Sequence, residues 1–368
     1  MKIMEEVRNK MVMQHLSRKT VQAYCMRVRE YIHFTGAQQR SDLNDTGRIE
    51  HYLTHLATTR HVSASTQNQA FYAVLYLYRE ILKIDVGQIS SLRAQESKRL
   101  PTVLSKSDTM RVLNCVHGEP YHLIAQLLYG TGMRLSEVQQ LRIKDIDFGN
   151  YIITVRAGKG DKDRTVPLPR ILVKPLMDQI GITRNLHNID LQRGMPGVYV
   201  PNALDKKYPN IGTEWGWYWV FPAENYSTDP ETRIYRRHHV YESGIQRSIK
   251  AARTEAGVTG HVTSHTFRHC FATHLLQDGY NIRVVQELLG HKDVRTTMVY
   301  THIMLPAGQA GIVSPLDNVP VESVIHLLMD KDSRADAALT PRARAEWLGQ
   351  PYGASVDVEF RAALNERR

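Results

Sequence analysis

The amino-acid sequence predicts a mainly α-helical protein of two domains, with a short β-hairpin in the second. Three observations support this fold class. The 368 residues exceed the usual size of one domain, and 42% of them are hydrophobic, enough for two ordinary cores. Apolar residues recur at helical spacing, and one pair of β-rich segments flanks a glycine-rich turn.

Residues 1–89 are predicted to form the first, helical domain. Ser17 is suited to cap a helix whose apolar side chains recur at helical spacing as far as Ile32. Two further helices are predicted at Ile49–Leu56 and Ala70–Leu82. The polar residues 90–100 then form a linker.

The second domain is predicted to span residues 101–318, with a first helix that begins near Ser105. Tyr151–Val155 and Thr165–Leu168 are predicted strands of a hairpin. Residues from about 184 to 239 are irregular and rich in tryptophan, which is typical of an insertion. A polar tail with two short helices is predicted over residues 319–368.

The charge balance points to a polyanionic partner, and nucleic acid fits best. The sequence has 47 Lys and Arg residues and 37 Asp and Glu residues, which gives a net charge of +10. A membrane is the competing partner, but no apolar run approaches the roughly 20 residues of a bilayer span, and the charged N-terminus lacks a signal-peptide core. We therefore expect a cytoplasmic protein. Cys25, Cys115 and Cys270 are too scattered for a disulfide framework or a CxxC metal site.

Arg134 is the first candidate phosphate ligand. It follows the turn Gly130-Thr131-Gly132 and opens a predicted helix, whose N-terminal N–H groups favour an anion. Alternatively, Arg134 is simply an exposed arginine paired with Glu137. If Arg134 were considered alone, this second interpretation would be favoured. In either case Glu137 can orient Arg134.

His265 and Arg268 stand three residues apart on a predicted helix capped by Ser264, so they share one face. That places two phosphate-binding groups side by side. Zinc binding by His265, His269 and His274 is the alternative. It is disfavoured because no cysteine pair or acidic residue completes the metal-ligand spacing.

Two further polar residues follow a compact predicted helix, Asn281–Leu289, which ends at Gly290. His291 comes directly after this glycine, and Tyr300 lies a short way downstream. A tyrosine is more often core or surface than a nucleophile. The case for Tyr300 therefore depends on the other residues.

Together these residues resemble the phage integrase-like, tyrosine recombinase family. The family pattern is an arginine after a glycine-rich turn, a lysine in a hairpin, His-x-x-Arg, a later histidine and a final tyrosine. Both order and spacing agree here, at Arg134, Lys159, His265, Arg268, His291 and Tyr300. The resemblance covers residues 1–318. It implies a two-domain clamp around DNA, with an N-terminal helical, SAM-like DNA-binding domain and a mostly helical catalytic domain.

The resemblance also implies a chemistry. Tyr300 attacks a DNA phosphate to form a 3′ phosphotyrosine, and the two arginines stabilise the charge that develops. His265 is the candidate base, Lys159 protonates the leaving 5′ oxygen, and His291 hydrogen-bonds the phosphate. Lys162 is an equally basic neighbour, but the flanking glycines favour Lys159. Since the phosphotyrosine conserves the bond energy, we expect no ATP, other cofactor or metal.

The insertion is most similar to that of integron integrases, whose extra segment holds bases that project from a folded single-stranded hairpin. The matching stretches include Glu214-Trp215-Gly216-Trp217, Asp229-Pro230 and Arg236-Arg237-His238-His239. Base stacking on such side chains is worth roughly 1–3 kcal/mol each. The resemblance makes Trp217, Pro230, His238 and His239 the candidate base-binding residues. Alternatively, the alternating tryptophans are a strand packed on the core.

The implied working form is a homotetramer on synapsed DNA in the bacterial cytoplasm. A type IB topoisomerase would share the catalytic residues but relax DNA without exchanging partners. The N-terminal helical domain and the insertion argue against it. A catalytically inactive DNA-binding relative, or a structural chromatin binder, would not require all six catalytic positions to be filled.

Overall fold

The computed structural model describes residues 3–87, 102–156, 163–201, 204–229, 232–291, 293–298, 300 and 315. The chain divides into two compact units, Met1–Leu100 and Pro101–Arg368. The described part of each unit is mainly helical, so the predicted fold class is confirmed.

The first unit is built from helices whose starts follow local capping chemistry. They are α1 (Ile3–Met13), α2 (Arg18–Thr35), α3 (Gly47–Thr58) and α4 (Ala64–Tyr76). Ser17 caps α2 by accepting a hydrogen bond from the Thr20 backbone N–H at 3.2 Å, as the sequence predicted. The helix α4 runs on into a π-helical turn at Leu77–Leu82. The sequence did not single out α1 as a separate helix.

An aromatic centre lies inside the first unit. The hydroxyls of Tyr31 and Tyr78 lie 2.8 Å apart and form a hydrogen bond. Tyr52 meets Tyr31 edge-on, with 5.2 Å between ring centroids. The paired hydroxyls satisfy each other, which lets both polar atoms be buried.

In its described residues, the second unit combines helices with two small antiparallel sheets. Its helices are α5 (Lys106–Asn114), α6 (Tyr121–Thr131), α7 (Leu135–Gln139), α8 (Val173–Gln192), α9 (Leu204–Lys207), α10 (Glu242–Glu255), α11 (Ser264–Gln277), α12 (Ile282–Leu289) and α13 (Arg295–Met298). Its strands are β1 (Ile146–Asp147), β2 (Ile152–Val155), β3 (Arg164–Pro167), β4 (Pro222–Thr228) and β5 (Tyr235–His239).

Helices α6 and α11 pack together in the core of the second unit. α6 is buried from Leu123 to its end, and α11 adds Phe267 and Phe271 to the same core. After α6, Gly132 adopts a left-handed conformation with φ of +65°, and a Cβ there would lie 2.3 Å from the Phe271 ring. Only glycine fits without a shift. The turn that leads to Arg134 is therefore fixed by the packing of α6 against α11.

The predicted hairpin is present. Strands β1, β2 and β3 pair antiparallel in that order, and Val155 stands opposite Arg164. The turn residues 157–162, with Lys159 among them, lie outside the described residues.

The helix α8 extends further than the sequence indicated. The irregular insertion was expected from about residue 184, but α8 continues to Gln192. Gln179 and Thr183 both donate from its buried face to the Val220 carbonyl at 3.0 Å. This buried face is mostly polar, so it carries little apolar periodicity, and the sequence pattern did not reveal it.

The tryptophan-rich segment is not a strand. Trp215–Trp217 forms a 3₁₀ turn, and Trp219 joins only an isolated bridge with Arg142. The pair β4 and β5 follows as a bulged hairpin. The sequence showed neither this hairpin nor α10.

The predicted tail, residues 319–368, lies outside the described residues. All three cysteines are free thiols. None of the helices in the described ranges combines the length and apolarity that a bilayer crossing requires.

Candidate active site

Arg268 lies at the centre of a polar cluster in the second unit. It stands on α11 and is 2% exposed. One terminal nitrogen donates to the Gly132 carbonyl and the other to the Leu289 carbonyl, both at 2.6 Å. These carbonyls lie at the C-terminal ends of α6 and α12, where helix dipoles favour a cation. Burial and the nearby charge of Arg134 lower the pKa of Arg268 to about 9.

Arg134 is the N-cap residue of α7 and follows the turn at Gly132. Its guanidinium donates to one oxygen of the Glu137 carboxylate at 2.7 Å, and its backbone N–H donates to the other oxygen at 2.7 Å. The Arg134 side chain is still 22% exposed. Glu137 thus orients the guanidinium while leaving part of it accessible to an anion.

Arg164, at the start of β3, is a member of the cluster that the sequence did not single out. Its terminal nitrogens donate to the Glu137 carboxylate at 3.0 and 2.6 Å, and its Nε donates to the Leu288 carbonyl at 2.8 Å. Gly290 leaves room for it, because a Cβ there would lie 3.0 Å from the Arg164 Cδ. Arg164 therefore ties the hairpin to α7 and to the end of α12.

The Glu137 carboxylate is buried between these two arginines. Burial alone would raise its pKa, but the hydrogen bonds and charge of Arg164, together with those of Arg134, lower it to about 2. The carboxylate is thus ionised at neutral pH. It offsets only part of the positive charge of the three arginines, so positive potential remains for a phosphate.

His291 follows the left-handed Gly290 that ends α12. Its Nε2 lies 3.2 Å from a terminal nitrogen of Arg268, and its Nδ1 lies 2.9 Å from the Thr297 Oγ1. Because a guanidinium can only donate, Nε2 is the acceptor and Nδ1 carries the proton. The fold therefore brings His291 against Arg268.

Tyr300 is 4% exposed and lies just beyond α13. Its backbone N–H donates to the Thr297 carbonyl at 3.0 Å. Its hydroxyl oxygen lies 2.7 Å from Nδ1 of His269. His265, the base expected from the sequence, meets the ring of His269 edge-on, with 5.3 Å between ring centroids. The hydrogen-bond partner of the phenol is thus the histidine that directly follows Arg268.

Positive charge influences this tyrosine and the neighbouring histidine. Burial raises the pKa of Tyr300, and the charges of Arg268 and Arg134 offset part of that rise. Partial burial, followed by the same two arginines, holds the pKa of His265 below its usual value. His265 is therefore neutral at neutral pH and retains a lone pair.

Zinc finds no support in the part of the chain that the structure describes, where no group of three or more His, Cys, Asp or Glu side chains is arranged to hold a metal. His274, the third histidine of that alternative, is engaged elsewhere. Its Nδ1 lies 2.9 Å from the Tyr129 hydroxyl, and its Nε2 lies 3.0 Å from the Leu104 carbonyl.

Trp217, the first candidate of the insertion, lies among cations. The Lys144 ammonium lies 2.8 Å from the centroid of the Trp217 ring, and the Arg142 guanidinium lies 5.2 Å from it. Arg142 also lies 4.0 Å from the ring of Trp219. Trp219 is buried in the core, whereas Trp217 is half-buried.

His238 and His239 lie on β5 beside the same aromatic group. The Trp219 ring stacks on His238 at 6.0 Å and meets His239 edge-on at 5.3 Å between centroids. Burial is the main cause that lowers the pKa of both histidines, that of His239 to about 4. Both rings are thus neutral at neutral pH. Pro230 lies outside the described residues.

A buried carboxylate fastens this insertion to α8. Asp190 accepts hydrogen bonds from the hydroxyls of Tyr218 and Tyr226 at 2.5 and 2.7 Å. It also accepts two from the Arg237 guanidinium, at 2.8 and 2.7 Å. Arg237 is therefore engaged inside the protein, and it anchors the hairpin that carries His238 and His239.

The sequence matches the phage integrase family over residues 91–305, and residues 3–88 match the N-terminal SAM-like domain of phage integrases. The chain belongs to the phage integrase family of tyrosine recombinases. It is a site-specific recombinase of the tyrosine type. The resemblance expected from the sequence, including the SAM-like domain, is thereby confirmed.

Relatives and solved structures agree with this membership. The chain is 45% identical to an integrase/recombinase of Escherichia coli over 320 residues, which is 87% of this chain and 94% of that one. It is 31% identical to the tyrosine recombinase XerD of Agrobacterium fabrum over 279 residues, 70% of this chain and 76% of the relative.

Two solved recombinases share the fold. The XerH recombinase in its post-cleavage complex with a palindromic difH substrate superposes with a TM-score of 0.53 at 22% identity, covering 77% of this chain and 76% of that one. The Tn1549 transposon integrase in complex with a circular intermediate DNA superposes with a TM-score of 0.54 at 15% identity, covering 84% of this chain and 96% of that one.

Proposed function

We propose that this recombinase cleaves and rejoins DNA strands through a 3′ phosphotyrosine formed at Tyr300. The observation that carries the proposal is one positively charged cluster that holds Arg134, Arg268 and His291 together with the Tyr300 hydroxyl. Phosphoryl transfer requires that the reactants be aligned and that the charge on the phosphoryl oxygens be stabilised. A buried and a partly exposed arginine can supply that stabilisation.

Each candidate residue then has a role. Arg134 and Arg268 bind the phosphate oxygens, and His291 donates a hydrogen bond to the phosphate once its Nε2 leaves Arg268 and takes up a proton. His265, which stands on the same helix as Arg268, is the base that the family resemblance suggests. Lys159 donates the proton to the leaving 5′ oxygen. The cleaved bond's energy stays in the phosphotyrosine, so a second 5′ hydroxyl can reseal the strand without ATP.

DNA is the proposed partner. The net charge of +10 favours a polyanion, and binding should weaken steeply with salt because phosphate contacts release counterions. The proposed working form is a homotetramer on two synapsed sites in the bacterial cytoplasm. Strand exchange between two differently labelled duplexes separates this function from topoisomerase-like relaxation, which never joins ends from different duplexes.

Replacing Tyr300 by Phe tests the nucleophile. Because only the attacking oxygen is lost, Tyr300→Phe should bind DNA as wild type does but form no covalent complex. A suitable substrate is a nicked duplex carrying a site selected from a random library by the protein itself. Covalent product is read on a denaturing gel, with Tyr241→Phe, an exposed tyrosine of the same unit, as the matched control. Covalent product from Tyr300→Phe would overturn the assignment.

Within the recombinases, we propose an integron integrase that inserts and excises gene cassettes. The support is the half-buried Trp217 in an insertion anchored by Asp190. Arg142 lies over both Trp217 and Trp219, and the Trp219 ring packs against His238 and His239. Lys144 lies over the Trp217 ring, so an extrahelical base would stack on the opposite face or displace the ammonium. Pro230 completes the proposed base-binding set.

Replacing Trp217 by Ala tests this assignment. We expect Trp217→Ala to weaken binding to a folded hairpin with extrahelical bases by roughly 1–3 kcal/mol. Binding to the matching unbulged duplex should barely change, because a perfect duplex offers no unstacked base. Trp215→Ala is the control, since Trp215 packs on His187 and Tyr218. Equal weakening of both substrates, with lower thermal stability, would make Trp217 a packing residue.

A further inference from the structure

The hydroxyl of Tyr300 has a hydrogen-bond partner on the neighbouring helix α11. Its oxygen lies 2.7 Å from Nδ1 of His269, and the two rings meet at 5.6 Å between centroids. His269 stands on α11, one residue past Arg268, so the core packing of that helix fixes where its ring lies. Neither the family pattern read from the sequence nor the roles proposed above use this histidine.

The direction of this hydrogen bond follows from charge. Burial, then the charges of His265 and Arg268, lower the pKa of His269 to about 4. The ring is therefore neutral, and it carries one proton and one lone pair. The phenol of Tyr300, whose pKa is raised by burial, is protonated at neutral pH. The phenol thus donates to Nδ1, and the ring proton of His269 resides on Nε2.

We propose that His269, rather than His265, takes the phenolic proton when Tyr300 attacks DNA, an inference that rests on the proposed phosphotyrosine chemistry. The Tyr300 oxygen bonds to phosphorus as its proton passes to Nδ1 of His269, which becomes an imidazolium. The bond from phosphorus to the 5′ oxygen breaks, and that oxygen receives a proton from Lys159. In the rejoining step every transfer is reversed, so protons balance over the cycle.

The surrounding charges make this transfer depend on substrate. An imidazolium at His269 would face the charge of Arg268, which lies in one cluster with Arg134, and this charge opposes its formation before a phosphate binds. A bound phosphate diester brings a negative charge against those arginines and so favours protonation of His269. The tyrosine therefore stays protonated until a phosphate is bound.

The first experiment uses a library-selected nicked duplex and the full chain. His269→Asn retains an acceptor near the place of Nδ1 but cannot be protonated, and covalent product should form about 10²-fold more slowly than with wild type. A substrate with sulfur as the bridging 5′ atom needs no acid to expel its leaving group. With this substrate, Lys159→Ala should form covalent product at a restored rate, whereas His269→Asn should remain slow. Recovery of His269→Asn on this substrate would place its defect on the leaving group and overturn the proposal.

The second experiment lowers the pKa of the nucleophile itself. Site-specific incorporation of a trifluorinated tyrosine at position 300 makes the phenol ionise more readily, so the need for a base falls. The rate of His269→Asn should rise at least about tenfold with the fluorinated phenol, and wild type should change little. His265→Asn is the matched comparison and should not be rescued.

The outcomes separate two kinds of failure. If wild type forms no covalent complex at Tyr300, the proposed function itself fails. If wild type reacts but His269→Asn is equally fast, or only His265→Asn is rescued by the fluorinated phenol, the function stands and His269 is not the proton acceptor. If His269→Asn does not fold, His269→Gln is used instead. Rescue of its rate by the fluorinated phenol then tests the role of His269 in the same way.

Discussion

Replacing Glu137 by Gln should destabilise the second unit by about 3 kcal/mol. The side chain of Glu137 is 8% exposed and pairs with both Arg134 and Arg164. Its pKa falls from 4.5 to about 2 in the folded chain. At about 1.36 kcal/mol for each pKa unit, this difference corresponds to about 3 kcal/mol. Breaking one buried ion pair costs a similar amount, about 3–5 kcal/mol.

Urea unfolding followed by tryptophan fluorescence measures this change. All four tryptophans, Trp215, Trp217, Trp219 and Trp347, come after residue 101, so their signal reports on the second unit. Glu255→Gln is the matched control, because Glu255 forms an exposed pair with His117. The control should shift the unfolding free energy by less than about 0.5 kcal/mol.

Acid gives an independent check of the same prediction. Since the pKa of Glu137 is depressed in the folded chain, its contribution to the free energy of unfolding is complete above about pH 4.5. This contribution is lost as the pH falls through about 2. Wild type and Glu137→Gln should therefore differ by a constant amount between about pH 8 and about pH 5, and converge at lower pH. A difference below about 0.5 kcal/mol at neutral pH would refute the idea that Glu137 holds the arginines.

Two more substitutions test the supports of the site by the same unfolding assay. Gly132→Ala places a Cβ 2.3 Å from the Phe271 ring at a residue with positive φ. It should lower the free energy of unfolding by about 2 kcal/mol more than Gly257→Ala does. Gly257 also has a positive φ, but a Cβ there meets nothing within 4 Å. Equal losses would show that the backbone conformation alone matters. Asp190→Asn should cost about 3–5 kcal/mol, because the buried Arg237 loses its counter-ion. Asp178→Asn, an exposed pair on the same helix, should cost under about 0.5 kcal/mol, and similar values for the two would contradict the anchoring role of Asp190.

Local signals in the sequence predicted much of this fold. The Ser17 cap, the Ser105 cap and the Gly290 stop all lie where the structure begins or ends a helix. Each of these signals acts through a hydrogen bond or a backbone conformation within a few residues. Such signals can be read without knowing what lies nearby in space.

Features that depend on distant partners were harder to predict. The buried face of α8 is polar because its side chains bond to the insertion, so the apolar pattern of a helix is missing. Arg164 looks like an ordinary hairpin arginine until Glu137 and the Leu288 carbonyl are placed beside it. His269 has no sequence signal beyond its position next to Arg268, because its partner Tyr300 lies on another element.

The way Arg268 is held has a consequence for how the protein tolerates mutation. Its two short hydrogen bonds end on main-chain carbonyls, which no substitution of a neighbouring side chain can delete. Arg134, by contrast, depends on one carboxylate that a single codon change can remove. Random mutagenesis should therefore loosen Arg134 through replacement of Glu137, but Arg268 chiefly through replacement of Arg268 itself or of the glycines that shape its acceptors. Lysine at 268 would not be a mild change, since a single ammonium lacks the fork that spans both helix ends.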